Sequence, residues 1–333
     1  MVAWLVWFPL KALWWALAAV GAVALLLTAM VATPITRPPE LRSISETARA
    51  VDRSTMPPLS RFAARDGTDL AYRHYPARGT PGGKIAILVH GSSGSSVAAH
   101  ALADALAAHG IDTYAPDIRG HGGSGTRGDV AYLGQLEDDM ADLVALVRKN
   151  SGEPITLLGH SAGAGFALRM ASSPVKEEFA RTILLAPYLG YDAPTNRPQS
   201  GGWASADLPR LFALAMMRRI GVDCCDALPV LAFAVPPHSE RILAPTYSYR
   251  LMRNFATRGY KGDLAATTKP VTLIAGADDE LMLSDKYADA VHAILPSAEV
   301  KLIGSVNHMG VVSTPKAVNE IADYVATHGG AGT

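Results

Sequence analysis

The sequence predicts an α/β fold, a mostly parallel sheet covered by helices on both faces. Three observations predict it. Short, near-continuous apolar runs such as KIAILVHG (84–91), PITLLGH (154–160) and VTLIAGA (271–277) have the character of strands buried on both sides. Between them lie segments of helical period, for example LGQLEDDMADLVALVRKN (133–150), acidic early and basic late as the helix dipole prefers. With 333 residues, 49% of them apolar and 18% charged, the chain can build a sizeable core and is not broadly disordered.

Residues 1–33 stand apart. Lys11 is their only charged side chain, and ALWWALAAVGAVALLLTAMVA (12–32) is long enough to cross a hydrocarbon core of ~30 Å. Four of the five tryptophans (Trp4, Trp7, Trp14 and Trp15) gather near its start, as in an interfacial belt. The segment is expected to be a single-pass transmembrane anchor. A cleaved signal is the competing reading, but its apolar region would span ~7–15 residues and end in a small-x-small site, which Met30-Val31-Ala32 does not offer. Lys11 before the span and Arg37, Arg42 and Arg49 after it weakly favour a cytoplasmic catalytic domain by the positive-inside rule, and the side is left open.

Residues 34–60, with Pro34, Pro38, Pro39, Pro57 and Pro58, are expected to be a linker with at most one short helix. The first part of the core (61–190) opens with a hairpin around Asp66-Gly67. Strand 84–91, helix 97–110, strand 111–118, helix 133–150, strand 154–160, helix 162–172 and strand 181–187 follow. The rhythm breaks over 191–270, which is too long for a plain loop and carries LPRLFALAMM and PVLAFAV. It is expected to be a helical lid over the carboxyl edge of the sheet, where ligands bind in such folds. The second part of the core (271–328) adds strand 271–277, helix 284–295, strand 299–304 and helix 315–328, and the terminal GGAGT is expected to fray.

The balanced charge, 30 basic against 30 acidic residues, supplies no field that would draw the chain to nucleic acid. The two cysteines, Cys224 and Cys225, are adjacent, a spacing that closes almost no loop and suggests no stabilising disulfide. No cluster has zinc-ligand spacing, and the expected chemistry needs no metal or organic cofactor.

The chemistry is concentrated in LLGHSAG (157–163). Gly159-His160-Ser161-Ala162-Gly163 at a strand-to-helix joint is a nucleophile elbow, in which small flanking residues let the chain turn tightly and hold Ser161 at the tip of the sheet. Gly165 serves the same close approach. Alone the pattern is weak, since a glycine-rich helix start looks the same. A serine hydroxyl needs a base, and His308, in the loop after the last strand, is the candidate. The chain has ten histidines, of which His100, His109, His292 and His328 read as helix-surface residues. The base in turn needs an anion, assigned to Asp279 just past strand 271–277, with Asp278 and Glu280 as possible substitutes. Ser161, Asp279 and His308 occur in the chain order expected for this architecture. The N–H groups of Ala162 and Ser92 are the expected oxyanion donors. His90 is expected to brace its loop by pairing with backbone.

With LVHGSSG (88–94), DIRGHGGSG (117–125), LLGHSAG (157–163), GADDELM (276–282) and SVNHMG (305–310), the chain resembles the α/β-hydrolase superfamily, within it the monoacylglycerol lipase and lysophospholipase-like serine hydrolases. The resemblance implies eight strands with a cap inserted after the sixth. It implies the acid three residues after Gly276, at Asp279, the base at His308, and loop-shaping roles for Arg119 and His121. Relatives with aspartate at the elbow, such as epoxide hydrolases and dehalogenases, are set aside by Ser161. The expected function is a membrane-anchored serine esterase acting on a small ester or a monoacyl lipid such as a monoglyceride or lysophospholipid. The alternatives are an acyltransferase, thioesterase or peptidase on the same triad, and a non-catalytic membrane interaction protein.

Overall fold

In the computed structural model, residues 2–79, 82–240 and 242–328 are described; the terminal Gly-Gly-Ala-Gly-Thr read as frayed and the side chains of Trp4 and Trp7 lie outside the described residues. The strands in chain order are β1 (Ser60–Ala63), β2 (Asp69–Tyr75), β3 (Ile85–Val89), β4 (Asp112–Pro116), β5 (Ile155–His160), β6 (Phe179–Leu185), β7 (Ala204–Ala206), β8 (Pro229–Phe233), β9 (Thr246–Ser248), β10 (Val271–Gly276) and β11 (Glu299–Ile303). Eight of them form one sheet in the order β1-β2-β4-β3-β5-β6-β10-β11. β1–β2 and β2–β4 are antiparallel, and every other pair is parallel. The remaining three make a small antiparallel sheet of their own.

Burial follows the apolar runs. Every residue of β3, β5 and β10 is buried, as expected for parallel strands covered on both faces. Helices α3 (His100–Ala108), α4 (Gln135–Asn150), α5 (Ala162–Ala171), α9 (Tyr287–His292) and α10 (Pro315–His328) follow β3, β4, β5, β10 and β11 respectively. Their apolar faces, including Leu102, Leu106, Leu143, Val147, Phe166, Leu168, Val291, Ile321 and Val325, join one core with the sheet. Each fully buried side chain of this size contributes about 1.5–3 kcal/mol. The expected helix 284–295 is a 3-10 turn (Ser284–Lys286) leading into the shorter α9. His100 departs from expectation: it is buried, with Nδ1 3.0 Å from the Tyr75 hydroxyl, because the first turn of α3 packs on β2.

Two further segments differ from the sequence reading. The insertion between β6 and β10 is not purely helical. It carries α6 (Leu208–Arg219), α7 (Tyr249–Asn254) and α8 (Tyr260–Ala265), and also the β7-β8-β9 sheet, in which PVLAFAV supplies β8. A seven-residue apolar run is compatible with either state, and here antiparallel partners on both sides settle it as strand. The linker holds α2 (Arg42–Arg49), which is packed down onto the domain. Leu41 N–H donates to Ala234 O at 3.0 Å, Asn307 Nδ2 donates to Thr47 Oγ1 at 3.2 Å, and Ile44 and Ser45 are buried.

The N-terminal helix α1 (Val2–Val31) is apolar all round, and the span Leu10–Val31 has a mean hydropathy of 2.1 with none of it buried. At 1.5 Å per residue, those 22 residues reach about 33 Å. The carboxyl end of α1 sits on the lid, where Arg210 of α6 donates to the carbonyls of Val31 and Thr33, and Thr33 Oγ1 donates to Asp207.

Candidate active site

The parallel strands all end at one edge, and the site is assembled there. Ser161 links β5 to α5 with φ 55° and ψ −120°, a left-handed backbone that a serine adopts only under constraint. The constraint is visible in its bonds. Ser161 N–H donates to Leu185 O at 2.9 Å, while its carbonyl accepts from Ala164, Gly165 and Tyr188. The glycines are required by close approach. A Cβ on Gly159 would lie 2.2 Å from Gly163 O, one on Gly163 would lie 2.2 Å from His90 O, and one on Gly165 would lie 2.7 Å from Tyr188 O.

Of the three candidate carboxylates after β10, the structure brings Asp279 to His308. Its Oδ2 lies 2.8 Å from His308 Nδ1, and its Oδ1 accepts from the N–H groups of Leu281 and Met282, both at 2.8 Å. Burial pushes the Asp279 carboxyl up, but the His308 ring and those two N–H donors outweigh it and hold the group below its ordinary value. Asp278 points to solvent. Glu280, weighed as a substitute, has a different place: its Oε2 accepts the backbone N–H of His308 at 2.9 Å and pins the loop that carries the ring.

Ser161 and His308 line one cavity of about 360 Å³, within the usual range for small-ligand sites. Across from them, the loop after β3 folds over the elbow so closely that a Cβ on Gly91 would stand 3.3 Å from Ser161 Cβ. Among the described residues, neither the Ser92 N–H nor the Ala162 N–H has a protein acceptor. Ala162 is the first residue of α5, where helix geometry leaves the N–H unpaired. Lid residues Trp203, Ile242 and Leu243 with Leu281 and Met309 supply apolar wall.

The histidines around Ser161 divide by environment. His90 Nδ1 lies 2.8 Å from Gly91 O and its Nε2 accepts the Ile118 N–H at 3.1 Å, so it braces the loop. His160 lies 3.1 Å from His308 O through Nε2, and burial, then the neighbouring His308, push its imidazole down to about 3. His121 has Nδ1 3.1 Å from Ile118 O and Nε2 2.5 Å from the Tyr247 hydroxyl. That hydroxyl in turn accepts the Ser93 N–H at 2.7 Å. A backbone carbonyl at Nδ1 makes that nitrogen the donor, so Tyr247 O–H donates to Nε2. Arg119 forks onto Asp139 at 2.7 and 2.8 Å and reaches Thr68 and Asp66, tying the β1–β2 turn to α4.

Three supports were not read from the sequence: Glu280 on the His308 backbone, Tyr247 under Ser93, and Trp203, whose Nε1 donates to Ser92 Oγ at 2.9 Å. Adjacency to Asp279 could have pointed to Glu280. No local signal marks the other two, which come from the lid.

Comparison with known proteins agrees with this architecture. Residues 81–310, well over half of the chain, match the serine aminopeptidase S33 family. The uncharacterized protein YnbC of Escherichia coli K12 is 32% identical over 118 residues, which is 34% of this chain and only 20% of YnbC. The magnesium-chelatase 30 kDa subunit of Rhodobacter capsulatus is 27% identical over 235 residues, covering 68% of this chain and 81% of that protein. Among solved structures, a soluble variant of the Saccharomyces cerevisiae monoglyceride lipase superposes with a TM-score of 0.63 at 18% identity, over 83% of this chain and 95% of that one. The Paleococcus ferrophilus monoacylglycerol lipase gives 0.58 at 18%, over 78% and 99%. At such identities the structures speak for the fold, and the family match speaks for descent. The chain is a member of the serine aminopeptidase S33 family within the α/β-hydrolase superfamily.

Proposed function

We propose that this chain is a membrane-anchored serine hydrolase of carboxylic esters, with a monoacyl lipid such as a monoacylglycerol or lysophospholipid as its substrate class. The observation that carries the reading is the 2.8 Å contact of buried Asp279 with His308 Nδ1, beside Ser161 in a cavity walled largely by apolar side chains. Asp279 accepts Nδ1–H, which leaves Nε2 as the basic nitrogen of the ring. His308 takes the Ser161 proton as Oγ bonds to the ester carbonyl carbon. The oxygen that becomes negative rests on the Ser92 and Ala162 N–H groups, each worth about 3–4 kcal/mol to the transition state. His308 then protonates the departing alcohol, removes a proton from water, and returns that proton to Ser161 as the acid leaves.

The lipid class is supported by the apolar wall and by two structural neighbours that are monoglyceride lipases. The anchor is supported by the exposed apolar length of α1 and by Arg210, which ties the end of that helix to the lid. The test is made on full-length protein in non-ionic detergent. A fluorophosphonate should label wild type and not Ser161→Ala, and wild type alone should release free fatty acid from octanoyl esters. Labelling that survives Ser161→Ala, or no acid release from any ester, would refute the reading.

A further inference from the structure

The cavity has one wall that the hydrolase fold does not supply. The linker helix α2 lies across it, held to the lid through Leu41 N–H on Ala234 O and to the His308 loop through Asn307 on Thr47. Ile44, Ser45, Ala48, Arg49 and the following Arg53 all line the cavity. Among the described residues no carboxylate lines it, and apart from the histidines the charged lining residues are these two arginines. Arg49 is paired with Glu40 at 2.7 Å, and Glu40 also accepts from Ser45 Oγ at 2.5 Å. Arg53 has no ion-pair partner among the described residues. Its Nη2 donates to Ala48 O, and its Nε is buried without an acceptor. A positive charge on the wall of a largely apolar cavity, with no ion-pair partner among the described residues, favours an anion in that space.

Resting on the hydrolase reading, we infer that the cavity selects an ester that also carries an anionic group, phosphate or carboxylate, and that Arg53, aided by Arg49, is the specificity-determining contact. A guanidinium fork matches either oxyanion geometrically, whereas a neutral glycerol head would leave the cation uncompensated. The linker then has two jobs, joining the domain to α1 and reading the substrate's polar end.

The experiment uses full-length protein in non-ionic detergent and three octanoyl esters: monooctanoylglycerol, monooctanoylglycerol phosphate, and the octanoyl ester of a hydroxy acid. The expected result is a kcat/KM at least tenfold higher for one or both anionic esters than for the neutral one. Which of them responds identifies the anion. Arg53→Met should collapse the anionic-to-neutral ratio at least tenfold, mainly through KM, and Arg53→Lys should recover part of it. A wild-type ratio at or below one overturns the inference while the hydrolase reading stands. So does a ratio unchanged by Arg53→Met, which would mark Arg53 as structural only. No turnover of any of the three esters overturns both.

Discussion

Replacing Asp279 by Asn tests the proton-handling chain with the least disturbance of the fold. The carboxylate accepts three hydrogen bonds, from Leu281 N–H and Met282 N–H on Oδ1 and from the His308 ring on Oδ2. An asparagine retains the first two only with its oxygen in the Oδ1 position, which turns its NH₂ toward His308 Nδ1. Nδ1 must then accept, the ring proton moves to Nε2, and Nε2 loses the lone pair that takes the Ser161 proton. A fall in kcat of about 10³–10⁴ is expected, as when the acid of a serine triad is amidated. That equals ~4–5.5 kcal/mol of transition-state stabilisation. The melting temperature should move little, because the backbone bonds survive. The assay is kcat for a soluble octanoyl ester across pH, with Asp278→Asn and Glu280→Gln in parallel. Asp278→Asn should stay within twofold, since that side chain is in solvent. Glu280→Gln should lose less than Asp279→Asn, because an amide oxygen can still accept the His308 N–H. Activity of Asp279→Asn within tenfold of wild type, or a larger loss in Asp278→Asn, would refute the assignment of the acid.

Further outcomes follow from other contacts. Arg119→Ala leaves Asp139 buried without its fork and should destabilise by about 3–5 kcal/mol in urea unfolding; a change under 1 kcal/mol would show that the network is idle. Tyr247→Phe strands the buried Ser93 N–H and should lower both the melting temperature and, by roughly tenfold, kcat, at a cost of about 1–3 kcal/mol for the unmade bond. Burial lowers the imidazole pKa of His90, His121 and His160 below the ordinary value. The unfolded chain therefore binds more protons, and the stability present above pH ~6.5 is lost as pH falls. Denaturant melts at pH 7.5 and 5 check the sign, and greater stability at pH 5 would contradict it. Deleting residues 1–31 should move the protein from the membrane fraction while leaving turnover of a soluble ester. Deleting 1–56 should also remove the α2 wall and lower turnover, and equal activity of the two truncations would show that α2 is dispensable.

The sequence made legible what is written in short windows. The strand runs of β3, β5 and β10 are fully buried and were recognisable because nothing polar interrupts them. The elbow was recognisable because three backbone contacts near 2.2–2.7 Å admit only glycine at 159, 163 and 165. The choice of Asp279 over Asp278 and Glu280 rests on its place just past the strand, three residues after Gly276 as the resemblance implies, and the physical reason lies outside that window. It depends on which side chain the turn after β10 directs inward, and that is fixed by Leu281 and Met282 donating to Asp279 Oδ1. His100 was misread for a similar reason. Its position at the start of a helix predicts exposure, and only the packing of α3 on Tyr75 hides it.

The lid and linker were the least legible because their contacts are long in sequence. Trp203 meets Ser92 across 111 residues, Tyr247 meets Ser93 across 154, and Asn307 meets Thr47 across 260. None of these pairs has a periodicity or a spacing that announces it. Yet they converge on the same few residues, the loop carrying Ser92 and the loop carrying His308. The fold's own strands set out Ser161, Asp279 and His308, while the inserted and N-terminal segments line the cavity around them. On the proposed mechanism, chemistry and selectivity reside on different parts of the chain. Changes in the lid or in α2 should alter which ester is accepted before they alter how it is cleaved, whereas changes at Asp279 or Glu280 should do the reverse.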